Sequence, residues 1–136
     1  AADATDFIFG FAVGLDMTCR DIQKEAKKLG RPWELAKGFD GSAPCTAIQR
    51  GTMHDLGQYG ELVLTRNGNE VQRGNWRDMV WPIPELIAQV SRYIKLEAGD
   101  LIFTGTPAGV GPVQIGDELI ARLEGFSQSL KLRVAE

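Results

Sequence analysis

The dipeptide Asn67-Gly68 lies between two short β-prone runs, Leu62-Val63-Leu64-Thr65 and Glu70-Val71-Gln72. Both central residues of a type I′ turn need positive φ, and Asn-Gly is the pair that supplies it most readily, so residues 61–72 read as a tight antiparallel hairpin. An isolated hairpin is marginal in water and needs further strands or a helix over its apolar face. The chain offers such strands at Leu101-Ile102-Phe103-Thr104, at residues 118–124 and at residues 129–134, separated by glycine-containing turns at 105–116 and at Gly125.

Upstream, the apolar and aromatic run at residues 7–15 reads as a strand buried on both faces, bent or closely approached at Gly10 and Gly14. Thr18-Cys19-Arg20-Asp21 has the form of a capping box, and Ile22, Ala26 and Leu29 recur at helical spacing until Gly30 and Pro32 stop the helix. Residues 31–44 mix Gly and Pro with Trp33, Lys37 and Phe39, as in an ordered loop anchored by apolar side chains. From Pro82 onward, Ile83, Leu86, Ile87, Val90 and Ile94 fall on one face of a second helix, expected to be the longest, with its prolines in the tolerated first turn. The expected class is α+β, mostly β, with two main helices. No internal repeat or linker divides residues 1–136, which read as a single domain.

Composition narrows the function classes. A chain of 136 residues, 43% hydrophobic and 24% charged, is long enough for one core. Fifteen basic against eighteen acidic residues, without long like-charge blocks, leave no footprint for nucleic acid or anionic lipid. No apolar run approaches the roughly 18 residues of a membrane span, and no signal peptide is evident. Cys19 and Cys45 are too few for a disulfide framework or a zinc site, which fits a reducing, cytoplasmic setting. The single histidine, His54, sits among Gly51, Thr52, Asp55 and Gly57 and reads as a solvated loop side chain. A small-molecule partner is the expectation.

Three segments carry polar groups that their surroundings leave unexplained. Asp16 ends the first strand, and Arg20 and Gln23 follow on one helix face, so an acid, a cation and an amide can converge; equally, Asp16 could accept amide bonds at the helix start with Arg20 in solvent. Lys37 stands between apolar residues and Gly38, either holding an anion or enolate or snorkelling to solvent. Residues 99–111 run from a strand into a glycine-rich turn that lacks the order of a P-loop or dinucleotide motif. Such a turn can present backbone amides and the Thr106 hydroxyl to a carboxylate, or simply join two strands.

Taken together, residues 15–23, Gly30-Arg31-Pro32-Trp33, Ala36-Lys37-Gly38-Phe39-Asp40, Asn67-Gly68-Asn69, Asp78-Met79-Val80-Trp81 and residues 99–111 resemble the core of the fumarylacetoacetate hydrolase family in order and spacing, over roughly residues 7–134. The resemblance implies a mixed β-roll, commonly homodimeric, that binds Mg²⁺ or Mn²⁺ and acts on short 2-oxo or 1,3-dicarbonyl acids, as in aromatic catabolism. It implies Asp16 as a metal ligand, Arg20, Gln23, Lys37 and Thr106 as substrate-binding residues, and Lys37 as the catalytic group. The implied reaction is hydrolysis of a C–C bond in fumarylpyruvate, an acylpyruvate or fumarylacetoacetate through a metal-bound enolate. Oxaloacetate decarboxylation, keto–enol isomerisation or a non-catalytic truncated domain are the alternatives.

The chain opens Ala1-Ala2-Asp3-Ala4-Thr5 without methionine, and the family's upstream Glu-x-Glu ligands and its His/Glu pair are not among these residues. The expectation is therefore the C-terminal part of a longer catalytic domain, one that binds metal weakly and turns over little by itself. Trp33, Phe39, Trp76 and Trp81 are expected to pack, some of them at a dimer contact, with apolar surface left exposed.

Overall fold

The computed structural model describes residues 2–135. A four-stranded antiparallel sheet of order β4-β3-β5-β6 organises it, built from β3 (Leu62–Arg66), β4 (Asn69–Gly74), β5 (Glu118–Leu123) and β6 (Ser129–Arg133). The hairpin forms as the sequence indicates: Asn67 at φ 52° and Gly68 at φ 80° make the two-residue turn. Leu62 pairs with Leu123 and Leu64 with Ala121, while Ala121 pairs on its other side with Leu130. Directly opposed residues share a face, so these side chains make one apolar surface. Val13, Leu56, Ile83, Ala121 and Leu123 form the buried cluster on it, with Trp76 and Ile87 packed alongside.

The N-terminal half adds a second, two-stranded sheet, β1 (Gly10–Phe11) with β2 (Gln49–Arg50). Regular pairing stops there, yet the chain continues antiparallel to residues 42–46 through Leu15 N to Pro44 O at 3.0 Å and Met17 N to Ser42 O at 2.8 Å. The expected strand over residues 7–15 is thus mostly an irregular ribbon, and it is not buried on both faces: Phe7 closes a 3-10 helix, Ala2–Phe7, and stays 82% exposed. Pro44 in the facing segment has no N–H to give, which rules out an unbroken ladder. Close approach at the two glycines is observed. A Cβ on Gly10 would collide with the Gln49 carbonyl, and one on Gly14 would lie 2.7 Å from the Phe103 ring.

Four α-helices connect these strands: α1 (Arg20–Lys28), α2 (Glu34–Lys37), α3 (Met53–Leu56) and α4 (Ile83–Val90). The capping box expected at Thr18 does not form. Cys19 is the N-cap and caps through no side chain, so Thr18 stands one position too early and bonds back to Asp16 O. The same sequence form does close at Thr52 and Asp55, so His54 lies exposed on a short helix rather than in a loop. Helix α4 stops at Val90, one residue shorter than α1, because the Ser91 hydroxyl donates to Ala88 O and tightens the end. Ile94 consequently leaves the helix face and is 61% exposed.

Residues 101–104 form no ladder among the described residues; apolar composition favours extension but does not by itself supply a partner. Trp76 packs on the core, whereas Trp33, Trp81, Val80 and Tyr93 are exposed. No helix among the described residues is long and apolar enough to cross a membrane.

Two predictions follow from the turns. A Cβ on Gly68 meets nothing within 4 Å, so Gly68→Ala isolates the backbone cost of positive φ. Urea denaturation should show a loss of about 1–2 kcal/mol, and Asn67→Gly, which keeps the turn but removes the side-chain bonds to Asp117 and Glu118 N, should also lose about 1 kcal/mol or more.

Turn carboxylates also set acid stability. Asp55 is held below the usual carboxylate range first by the Thr52 backbone N–H, Asp117 first by the Gln114 backbone N–H, and Glu70 first by the Arg73 guanidinium. Depressed folded-state values stabilise the fold above the unfolded carboxylate range of about 4 and lose that contribution as pH falls through the folded values. Thermal melts should therefore be flat on this account from neutrality down to about pH 5 and drop steeply below about pH 4. Substituting Asn at Asp55 and Asp117 together should flatten the drop.

Candidate active site

Asp16 is fixed from both sides by backbone. Leu15 and Met17 each donate across to the 42–44 segment, so the intervening residue has a set position before α1 begins. Lys37 is the last residue of α2, a helix anchored by fully buried Ala36, whose carbonyl accepts from Cys19 N at 3.0 Å. That bond ties the start of α1 to α2 and brings Lys37 Nζ to 2.6 Å from Asp16 Oδ2, across 21 residues of chain. Both side chains are about half-exposed, at 35% and 49%, so the pair is a positional device more than a source of stability.

Arg20 opens α1, and its guanidinium donates to Gln23 Oε1 at 2.9 Å, a one-turn contact that limits its rotamers. Thr106 lies in the glycine-rich turn after residue 104. Its hydroxyl accepts from Gln72 Nε2 of β4 at 3.1 Å. Asp16, Arg20, Lys37 and Thr106 line one cavity of about 610 Å³, together with Leu62, Leu64, Leu119 and Ala121 from the four-stranded sheet.

Four of the five residues singled out in the sequence thus meet at one cavity. Gln23 is not part of its lining and reaches it only through Arg20. Gln72 lines the cavity and was not singled out, since a polar residue on an alternating strand reads as the solvent face. Asp21 and Phe103 complete the approach. Chemically the site offers two cations, Arg20 and Lys37, and the Thr106 hydroxyl beside the carboxylates of Asp16 and Asp21, and the two cations suit a small anion rich in acceptor oxygens. Among the described residues no three His, Cys, Asp or Glu side chains cluster closely enough to hold a metal ion; Asp16 is available as a single oxygen ligand.

Because the Asp16–Lys37 pair is solvent-accessible, Lys37→Met should shift the denaturation free energy by less than about 1 kcal/mol. A larger loss in urea would show that the pair is structural.

Comparison with known proteins places this cavity in context. A family model described as the fumarylacetoacetate hydrolase C-terminal domain matches residues 1–134. An oxaloacetate tautomerase of Escherichia coli K12 is 44% identical over 126 residues, which is 92% of this chain and 58% of that protein. A fumarylpyruvate hydrolase of Ralstonia is 41% identical over 136 residues, 98% of this chain and 69% of the relative. The crystal structure of a fumarylpyruvate hydrolase from Pseudomonas aeruginosa, in complex with Mn²⁺ and pyruvate, superposes with a TM-score of 0.90 at 37% identity, covering 98% of this chain and 57% of the other.

Proposed function

The chain belongs to the fumarylacetoacetate hydrolase family, and from that footing we propose that its cavity serves a metal-dependent enzyme hydrolysing a C–C bond in a short 1,3-dicarbonyl acid such as an acylpyruvate or fumarylpyruvate. The observation that carries this reading is the meeting of Asp16, Lys37, Arg20 and Thr106 around one cavity from three separate stretches of sequence. Since the chain spans 58% of the E. coli relative's length, activity and substrate belong to the proposal.

Asp16 fits a hard cation as one ligand. Mg²⁺ is commonly held by only one or two carboxylates, keeps several waters and takes further oxygens from substrate. When bound there, such a cation would polarise the substrate's 2-oxo oxygen. Arg20, steadied by Gln23, offers two parallel N–H donors to the substrate carboxylate, and the Thr106 hydroxyl adds a third contact. Lys37 carries its ammonium to Asp16 in the cavity, where it would donate to the oxygen that gains charge as water adds to the acyl carbon, the C–C bond breaks and pyruvate departs as its enolate, which then takes up a proton at carbon. The Mn²⁺ and pyruvate in the P. aeruginosa structure support this class of ligand. A homodimer is part of the same reading, supported by the exposed Phe7, Val80 and Tyr93.

The second reading is keto–enol tautomerisation of oxaloacetate, favoured by the 44% identity to the E. coli tautomerase. It uses the same contacts but moves one proton and breaks no C–C bond. Proton NMR of the chain with Mg²⁺ separates the two: acylpyruvate should yield pyruvate and the free acid, whereas a tautomerase would speed only enol–keto exchange of oxaloacetate. Lys37→Met should lower whichever rate is present by about 100-fold or more while the fold survives.

Metal binding gives an independent check. Calorimetry should show weak Mg²⁺ binding, tightened by oxalate as an enolate mimic and lost in Asp16→Asn. Binding unchanged by that substitution would remove Asp16 from the metal site.

A further inference from the structure

Gln72 reaches the glycine-rich turn from β4. Its Nε2 lies 2.9 Å from Pro107 O and 3.1 Å from Thr106 Oγ1, with Ala108 O at 3.5 Å. A carbonyl oxygen can only accept, so the Pro107 contact fixes which end of the Gln72 amide is nitrogen. With three acceptors for two protons, one goes to Pro107 O, the shortest contact, and the other is shared between Thr106 Oγ1 at 3.1 Å and the more distant Ala108 O at 3.5 Å. Strand and turn are pressed together tightly enough to hold this arrangement: a Cβ on Gly74 would lie 2.6 Å from Pro107 Cβ, and one on Gly109 would collide with the Val71 carbonyl.

A hydroxyl that accepts a bond must send its own proton elsewhere. Among the described residues no acceptor takes the Thr106 proton, and the residue is exposed on the cavity wall. We propose that Gln72 is a positioning residue which, by donating to Thr106 Oγ1, occupies one of its two lone pairs and directs its proton toward the cavity, so that the turn end of the site favours acceptor oxygens, those of a substrate carboxylate. The assignment rests on the 2-oxo acid reading above and extends it to a residue outside the set of presumed ligands. At the substrate end Arg20, Lys37 and Thr106 all present protons, and a ligand group that only donates, such as an amide N–H, is met less favourably there than a carboxylate oxygen.

The test is a double-mutant cycle on oxalate affinity, measured by calorimetry in excess Mg²⁺ with the full chain. Gln72→Glu keeps the shape but accepts the Thr106 proton and draws it away from the cavity, while its charge adds a repulsion of oxalate common to both backgrounds. It should weaken oxalate binding about fivefold or more in the parent beyond its effect in a Thr106→Ala background, since coupled residues are not additive. A purely structural glutamine would cost the same in both backgrounds, and that result, or no loss in either, overturns the assignment. Should Gln72→Glu disturb the turn through Pro107 O, Gln72→Met carries the same cycle. It frees the hydroxyl to rotate and should give a smaller loss that also vanishes without Thr106.

Side-chain amide NMR separates this assignment from the reading beneath it. The Gln72 NH₂ signals should shift in Thr106→Ala whether or not oxalate binds, and unmoved signals overturn the Gln72 to Thr106 bond. A parent chain that shows the shift but ignores oxalate overturns the 2-oxo acid reading, and the carboxylate selectivity with it.

Discussion

Cross-strand pairing of Leu62 with Leu123 and of Leu64 with Ala121 is the constraint from which the remaining geometry descends. Side-chain period in a strand is two, so a slip of one residue would turn this whole apolar set away from Val13, Leu56 and Ile83. The tight Asn67-Gly68 turn sets the β3–β4 register as far as Thr65, beyond which an irregularity shifts it so that Leu64 pairs with Gln72, and Asn67 reinforces the β3–β5 register by exchanging bonds with the start of β5: its Nδ2 donates to Asp117, and its Oδ1 accepts from Glu118 N. The same four-stranded surface that buries the core also contributes Leu62, Leu64, Leu119 and Ala121 to the cavity. Site and core therefore share one register, and a slip would lose both.

What hangs on this platform is held by backbone rather than by ion pairs. Asp16 and Lys37 come together because residues 15–17 are laced to 42–44 and Cys19 N is laced to Ala36 O. Their 2.6 Å contact follows from that lacing. A half-exposed ion pair is worth little in stability, so its value lies in leaving both charges accessible at a defined separation. The net charge of −3 says nothing of this, because the field at the cavity is made by its own lining, Arg20 and Lys37 with Asp16 and Asp21, not by the chain as a whole.

The features legible in the sequence were those specified locally. The Asn-Gly hairpin, the strands near 118–124 and 129–134, and helices beginning near Arg20 and Ile83 all carry their own turn chemistry or periodicity. Failures occurred where tertiary partners decide. The run at residues 7–15 has the composition of a buried strand, but Pro44 in the opposing segment interrupts the ladder; residues 101–104 have a strand's composition and no ladder among the described residues. Thr18-Cys19-Arg20-Asp21 and Thr52-Met53-His54-Asp55 share one pattern, and only the second closes, since a one-residue difference in where the helix starts decides which hydroxyl can reach an amide. At the site, Gln72 stayed invisible for the same reason, because its partner lies 34 residues away and nothing local shows that this polar strand residue, opposite Leu64, faces the cavity.

The arrangement of Asp16 bears on how the cavity can work. One of its oxygens is already committed to Lys37, and the lysine in turn is held at the carboxylate. On the proposed reading, Asp16 would hold a divalent cation with the same negative charge that now holds the ammonium, and its attraction for Lys37 would fall accordingly. Lys37 would then be free to turn its proton toward a substrate oxygen instead. Metal and substrate would in this way be favoured together, the cation releasing the lysine and the lysine meeting the charge that the substrate develops. With the Thr106 hydroxyl accepting from Gln72 and Arg20 steadied by Gln23, those two side chains already have neighbours that orient them, so on the proposed reading Lys37 would be the group among the three whose partner changes.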